Sequence, residues 1–163
     1  MDSALLLRSL EDGLRPLVQA AGGTLEVASD PDIVFELLAV SPRGWRVILS
    51  WGGDDAVNEL ESPGIVRWTL NTTVQATRGL AISLGSAAHR TPVSGRDPLL
   101  TLSDYVSRWL RGLSGDHPHL DKRGFRQTSR NWLVLDGQPN RQILLVHRCY
   151  LALEPPIAVP CVF

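Results

Sequence analysis

Lysine is almost missing from this sequence: Lys122 is the only one among 16 basic residues, the rest being arginines. A cationic complement made of guanidinium groups favours bidentate and interface pairing over loosely solvated charge. Neither sign of charge is in excess, because 17 acids leave a net charge of -1. A dedicated nucleic-acid binder, which carries a basic surplus, is thereby disfavoured, and any contact with DNA is expected to be non-specific at most. Cysteine is scarce too. Cys149 and Cys161 stand 12 positions apart, in neither CxxC nor metal-site spacing, so the fold is not a disulfide scaffold or a zinc module. A chain of 163 residues does not need such staples, since it buries roughly 70% of its unfolded surface. Two reduced structural thiols are expected, with their pairing left open. No stretch of 18 uncharged apolar residues occurs, which argues against a spanning helix. The start, Met1-Asp2-Ser3, lacks the basic region of a signal peptide, so a cytoplasmic site of synthesis and no membrane partner are expected. Hydrophobic residues at 44% and charged residues at 20% exclude a disordered chain.

Catalytic signatures are equally sparse. No G-x-S-x-G elbow is present, and Gly52-Gly53 has neither the G-x-G-x-x-G spacing nor the lysine of a phosphate loop. The densest set of metal-ligand types is Asp116-His117-Pro118-His119-Leu120-Asp121, with His89 or His147 as distant additions. Its confinement to one polar stretch reads as a solvated loop. His147 and Cys149 share one face of an apolar strand, a thiol–imidazole pairing that reads better as packing. Glu59 and Glu61 sit in a turn-rich stretch and read as solvated. Lys122, Arg123, Arg126 and Arg130, with Phe125 and Trp132 interleaved, form the one basic run suited to phosphate. The expectation is a protein without cofactor, metal or catalytic residues.

What is present is periodicity. Leu6, Leu10, Leu14, Leu17 and Ala21 recur at helical spacing over residues 3–21, with Ser3 as a cap, Gly22-Gly23 as a stop and Pro16 as an interior kink. Residues 31–39 suit a short helix or a strand. Trp45, Val47, Leu49 and Trp51 alternate with Arg46, Ile48 and Ser50, predicting a strand closed by Gly52-Gly53-Asp54-Asp55. Ile65 to Thr77 predicts a strand about twice the usual length. Val66, Trp68, Leu70, Thr72, Val74 and Ala76 form its core face. Arg67, Thr69, Asn71, Thr73, Gln75 and Thr77 form a polar face for water or a partner. Residues 79–98 read as a long mobile loop. Leu102, Tyr105, Val106, Trp109, Leu110 and Leu113 predict the second amphipathic helix. Asn131 to Leu135 and Arg141 to Leu153 predict a hairpin around Asp136-Gly137-Gln138-Pro139-Asn140. The irregular tail, 154–163, holds Pro155, Pro156 and Pro160, and its apolar residues are expected across the core or against a neighbouring subunit. The five tryptophans are read as core residues. The fold class is therefore α+β: one domain, a mostly antiparallel sheet with a long central strand or hairpin, and two flanking amphipathic helices.

The near-neutral total hides a division. Residues 1–64 hold four bases against eleven acids, a net of −7; residues 65–163 hold twelve bases against six acids, a net of +6. Such a chain can present one acidic and one basic face and meet copies of itself head to tail.

This order of elements resembles the tail terminator (tail-completion) proteins of long-tailed bacteriophages. The resemblance rests on Ala4 to Leu17, Trp45 to Trp51, Ile65 to Thr77, Leu102 to Leu113 and the hairpin from Trp132 to Leu153. It implies a structural virion protein, assembled in the bacterial host cytoplasm from a phage or prophage. Copies would form a ring, commonly a hexamer, that closes the tail tube. Tail-tube and head-connector proteins would be the partners. Within that resemblance Arg67, Thr69, Asn71, Thr73 and Gln75 are the residues to line the lumen, and Arg123, Arg126 and Arg130 join them as interface residues. The alternatives from other classes are a non-enzymatic adaptor or small-ligand binding domain and, behind it, a metal-dependent hydrolase.

Overall fold

The computed structural model describes residues 2–40, 42–57, 64–77, 82–83, 92–93, 99–113, 124–135 and 140–160. Helix α1, Ser3–Ala20, buries Leu6, Leu10, Leu14 and Val18, one residue per turn along a single stripe. Val18, not Leu17, continues that stripe, and the helix runs on through Pro16. Its cap is Asp2, whose side chain accepts from the Leu5 N–H at 2.7 Å. Ser3, the expected cap, instead accepts at 2.9 Å from the Trp68 indole and ties the helix start to the central strand.

Gly22-Gly23 leads into β1, Thr24–Ala28, a strand that alternation did not announce. A side chain at Gly23 would collide with the Trp45 ring at 2.5 Å, so the chain enters β1 directly under that indole. Residues 31–39 are a helix, α2, Pro31–Ala39. Asp30 caps it by accepting from Ile33 N–H at 3.0 Å, and Pro31 opens the first turn where no N–H is needed. α2 crosses over to β2, Trp45–Ala56, which lies parallel to β1. The structure thus adds a third helix and one parallel pair to the expected architecture.

β3, Ile65–Thr77, returns antiparallel to β2. The expected turn at Gly52-Gly53 is instead a bulge: the ladder shifts between Trp51 and Asp54, and β2 continues to Ala56. Gly53 adopts a φ of 95°, and a Cβ at Gly52 would stand 2.8 Å from Thr69 Cγ2 and 2.9 Å from Asn71 Nδ2. Both glycines are therefore required by the bulge and by its close fit over β3. Within the expected 79–98 loop, Ile82–Ser83 (β4) and Pro92–Val93 (β5) pair antiparallel, and the rest lies outside the described residues.

Helix α3, Leu99–Leu113, precedes the hairpin of β6, Arg126–Leu133, and β7, Asn140–Ala152. The hairpin turn, 136–139, lies outside the described residues. The five-stranded sheet runs β1-β2-β3-β7-β6, with only the β1–β2 pair parallel. α1 and α3 cover one face through a core that includes Trp45, Trp68, Val74, Leu102, Trp109 and Leu145. On the other face α2 packs Leu38 against Ala28 and Ile48. Two tryptophans depart from the expected core role: Trp51 is 47% exposed and Trp132 43% exposed. From Ala152, the last residue of β7, to Pro160 the chain is exposed at every residue, so the described part of the tail is not buried in its own core; 161–163 lie outside the described residues. Gly52→Ala is expected to lower stability by about 1–3 kcal/mol through overpacking. Urea unfolding would measure it; an unchanged midpoint would mean that β2 closes at Trp51 after all.

Candidate assembly surfaces

The polar face of β3 is divided by α2. Gln75 is completely buried beneath it. Its Nε2 donates to Leu38 O at 3.0 Å and to Gln142 Oε1 at 3.4 Å, while its Oε1 accepts from Arg46. Arg46 also donates to the Leu37 and Val40 carbonyls at the end of α2, where Leu37 O accepts from Val40 N–H as well. Gln142 donates to Leu133 O at 2.7 Å. Burial lowers the pKa of the Arg46 guanidinium, against the raising influence of the Glu26 carboxylate. This set of hydrogen bonds joins α2 to β2, β3, β7 and β6. Thr73 and Thr69 are buried as well, Thr69 beneath Gly52. The expectation that Thr69, Thr73 and Gln75 present an open polar wall is corrected accordingly. The alternation was right about the face, and the chain itself covers most of it. Arg67 and Asn71 remain half-exposed, and Arg67 pairs with Asp55 at 3.2 Å.

The basic run is also divided. Arg123, with His117, His119 and the rest of 114–123, lies outside the described residues. Arg126 and Arg130 are both exposed on β6, but the ladder shifts between Gln127 and Ser129. Arg130 is turned toward α3, where it pairs with Asp104 and donates to Ser103 Oγ at 3.3 Å. Arg126 stands directly opposite Arg148 of β7. Arg148 was missed in the sequence, because only the register of the hairpin reveals its neighbour.

His147 and Cys149 point from β7 into the main core and are buried. Ser107 Oγ of α3 lies 3.0 Å from His147 Nε2, and His147 Nδ1 has no partner. Burial, with the Arg111 guanidinium adding to it, holds the imidazole down at about 4. Burial pushes the Cys149 thiol up to about 12. A neutral imidazole and a protonated thiol, both sealed from solvent, are packing groups rather than a nucleophile and its base.

The two edges of the sheet differ in charge. Exposed Glu26 lies on β1, and exposed Asp30, Asp32 and Glu36 lie on or beside α2, which packs on β1 and β2. At the far edge β6 exposes Arg126 and Arg130. The strand order thus converts the division of charge along the sequence into a division across the sheet. No family model matches the chain, and no curated protein matches it. Among the described residues, no helix is long and apolar enough to cross a membrane.

His147 supplies a pH test. Its ordinary pKa of 6.5 is depressed to about 4 in the fold, so the unfolded chain binds the proton first as pH falls. Stability is therefore lost between pH 6.5 and about 4, by as much as about 3 kcal/mol at about 1.4 kcal/mol per unit. Urea unfolding across that window is expected to show a shallower acid loss for His147→Leu than for the wild-type chain. Parallel profiles would place the proton elsewhere.

Proposed function

We propose that this protein is a structural subunit whose copies associate head to tail into a ring that closes a phage tail tube, the ring's free surface joining the tail to the head. One observation carries the reading: opposite edges of a single sheet bear opposite charge. A heterologous contact of the acidic β1–α2 edge with the basic β6 edge of the next copy leaves the same two edges free at the ends. Such an arrangement either closes into a ring or grows into a filament. β6 is suited to the contact because it is exposed along almost its whole length and has one strand neighbour. The architecture-level resemblance to tail terminators supplies the biological setting, with tail-tube and head-connector proteins as partners. Arg67, Asn71 and Thr77 are the members of the β3 polar face that remain accessible, and of the residues expected to line a lumen Arg67 and Asn71 are among them.

Light scattering after size exclusion, followed by negative-stain imaging, tests the proposal. A discrete ring is expected, one that blocks further elongation when mixed with tail-tube protein. Reversing the acidic edge with Asp32→Lys and Glu36→Lys is expected to raise the concentration needed for assembly about tenfold or more at low salt. Adding Arg126→Glu is expected to recover part of the loss. A chain that stays monomeric at every concentration, with or without tube protein, is instead a binding module.

A further inference from the structure

Three arginines meet at one end of the sheet, on three adjacent strands. Arg126 of β6 stands directly opposite Arg148 of β7. On the neighbouring strand, Thr69 is opposite Arg148 and Arg67 is opposite Tyr150, so Arg67 is the diagonal neighbour of Arg148 on the same face. Diagonal neighbours lie about 7–8 Å apart, within reach of long side chains. Between them is a cavity of about 400 Å³, bounded by Arg67, Gly124, Arg126, Gln127, Arg148 and Tyr150. Like charges directly opposed across a ladder oppose pairing unless a counter-charge lies between them. The chain supplies little of it. Asp55 pairs with Arg67, and among the described residues Arg126 and Arg148 have no acidic partner. Arg67 Nε is buried and has no acceptor at all.

We infer that this cavity is a binding site for a phosphate group. Among the described residues, three guanidinium groups against one carboxylate leave an uncompensated charge of about two, matched by a phosphate and only half matched by a carboxylate. A phosphate also presents three or more oxygens, enough to accept from two planar forks at once. A free phosphate compound offers this charge in one dianionic group, and a nucleic-acid backbone offers it in two neighbouring phosphodiesters of one charge each. A duplex laid across the sheet would meet it through its backbone alone, without reading sequence. The site is formed by residues of one chain, and because the proposed contact between copies also uses Arg126, phosphate and a neighbouring copy would compete for it.

The test uses the full chain with inorganic phosphate and a fluorescently labelled DNA duplex. Phosphate is expected to raise the unfolding temperature saturably over chloride at matched ionic strength. Arg148 is exposed, so Arg148→Gln keeps the fold, and it is expected to weaken phosphate binding about tenfold or more. If the physiological source is a nucleic-acid backbone, duplex anisotropy rises as well, and Arg148→Gln lowers its salt slope by about one. A response to phosphate alone assigns the site to a free phosphate compound. Absence of both responses, or equal responses in the variant, overturns the site. A cavity whose arginines answer only to Asp32→Lys and Glu36→Lys, through loss of assembly, holds a neighbour's carboxylate and overturns it too.

Discussion

Everything in this fold hangs from the ladder between β3 and β7. Ile65 pairs with Ala152 at one end and Thr77 with Asn140 at the other, without interruption. The two strands are far apart in sequence, and closing so long a loop costs entropy that grows only slowly with its length. What offsets that cost is local to the ladder. Trp68, Leu70 and Val74 from one strand meet Ile143, Leu145 and Cys149 from the other in the main core. Once these strands are joined, β2 and β1 can only extend the sheet on one side and β6 on the other. The acidic first part of the chain and the basic last part are thereby sent to opposite edges.

The two faces of that sheet solve different problems. Under α1 and α3 the face is mostly apolar, with Thr72, Ser103 and the Ser107–His147 contact among its buried polar groups. On the other face α2 is short and covers one end only. There the chain buries a guanidinium and two amides, Arg46, Gln75 and Gln142, and bonds them to the carbonyls at the end of α2, to Leu133 O of β6 and to one another, leaving Arg46 Nε without an acceptor. Buried polar groups linked in this way fix a helix in one position more sharply than an apolar contact does. The uncovered end keeps Arg67, Arg126 and Arg148 within reach of solvent and partners.

How much of this was legible follows from the physics of each signal. β3 was readable nearly to the residue, because strict alternation over so many positions has no helical counterpart. β1 was not: Thr24-Leu25-Glu26-Val27-Ala28 is short, and its hydrogen bonds come from a parallel partner that no local pattern marks. Gly52-Gly53 carries the same composition in a turn and in a bulge, and only the continuation of pairing to Ala56 separates them. Gln75 looked solvent-facing because alternation reports which face a residue is on, not what covers that face. For the candidate surfaces, Arg67 and Arg126 were visible as charges. Their neighbour Arg148, and the separation of Arg126 from Arg130, depend on register and on the shift between Gln127 and Ser129.

Edge arginines have an ordinary explanation, since charge on an exposed strand discourages indiscriminate pairing. That explanation predicts an edge repellent to every strand, and lysine serves it as well as arginine. Here the same chain also carries an acidic opposite edge, so in the proposed head-to-tail contact unlike edges would meet and like edges would be kept apart. The tail exposes apolar surface as well: Ile157 is 87% exposed and Val159 78% exposed, in a proline-bearing segment. In the proposed assembly charge would select which surfaces meet, and apolar burial would supply most of the affinity once they had met.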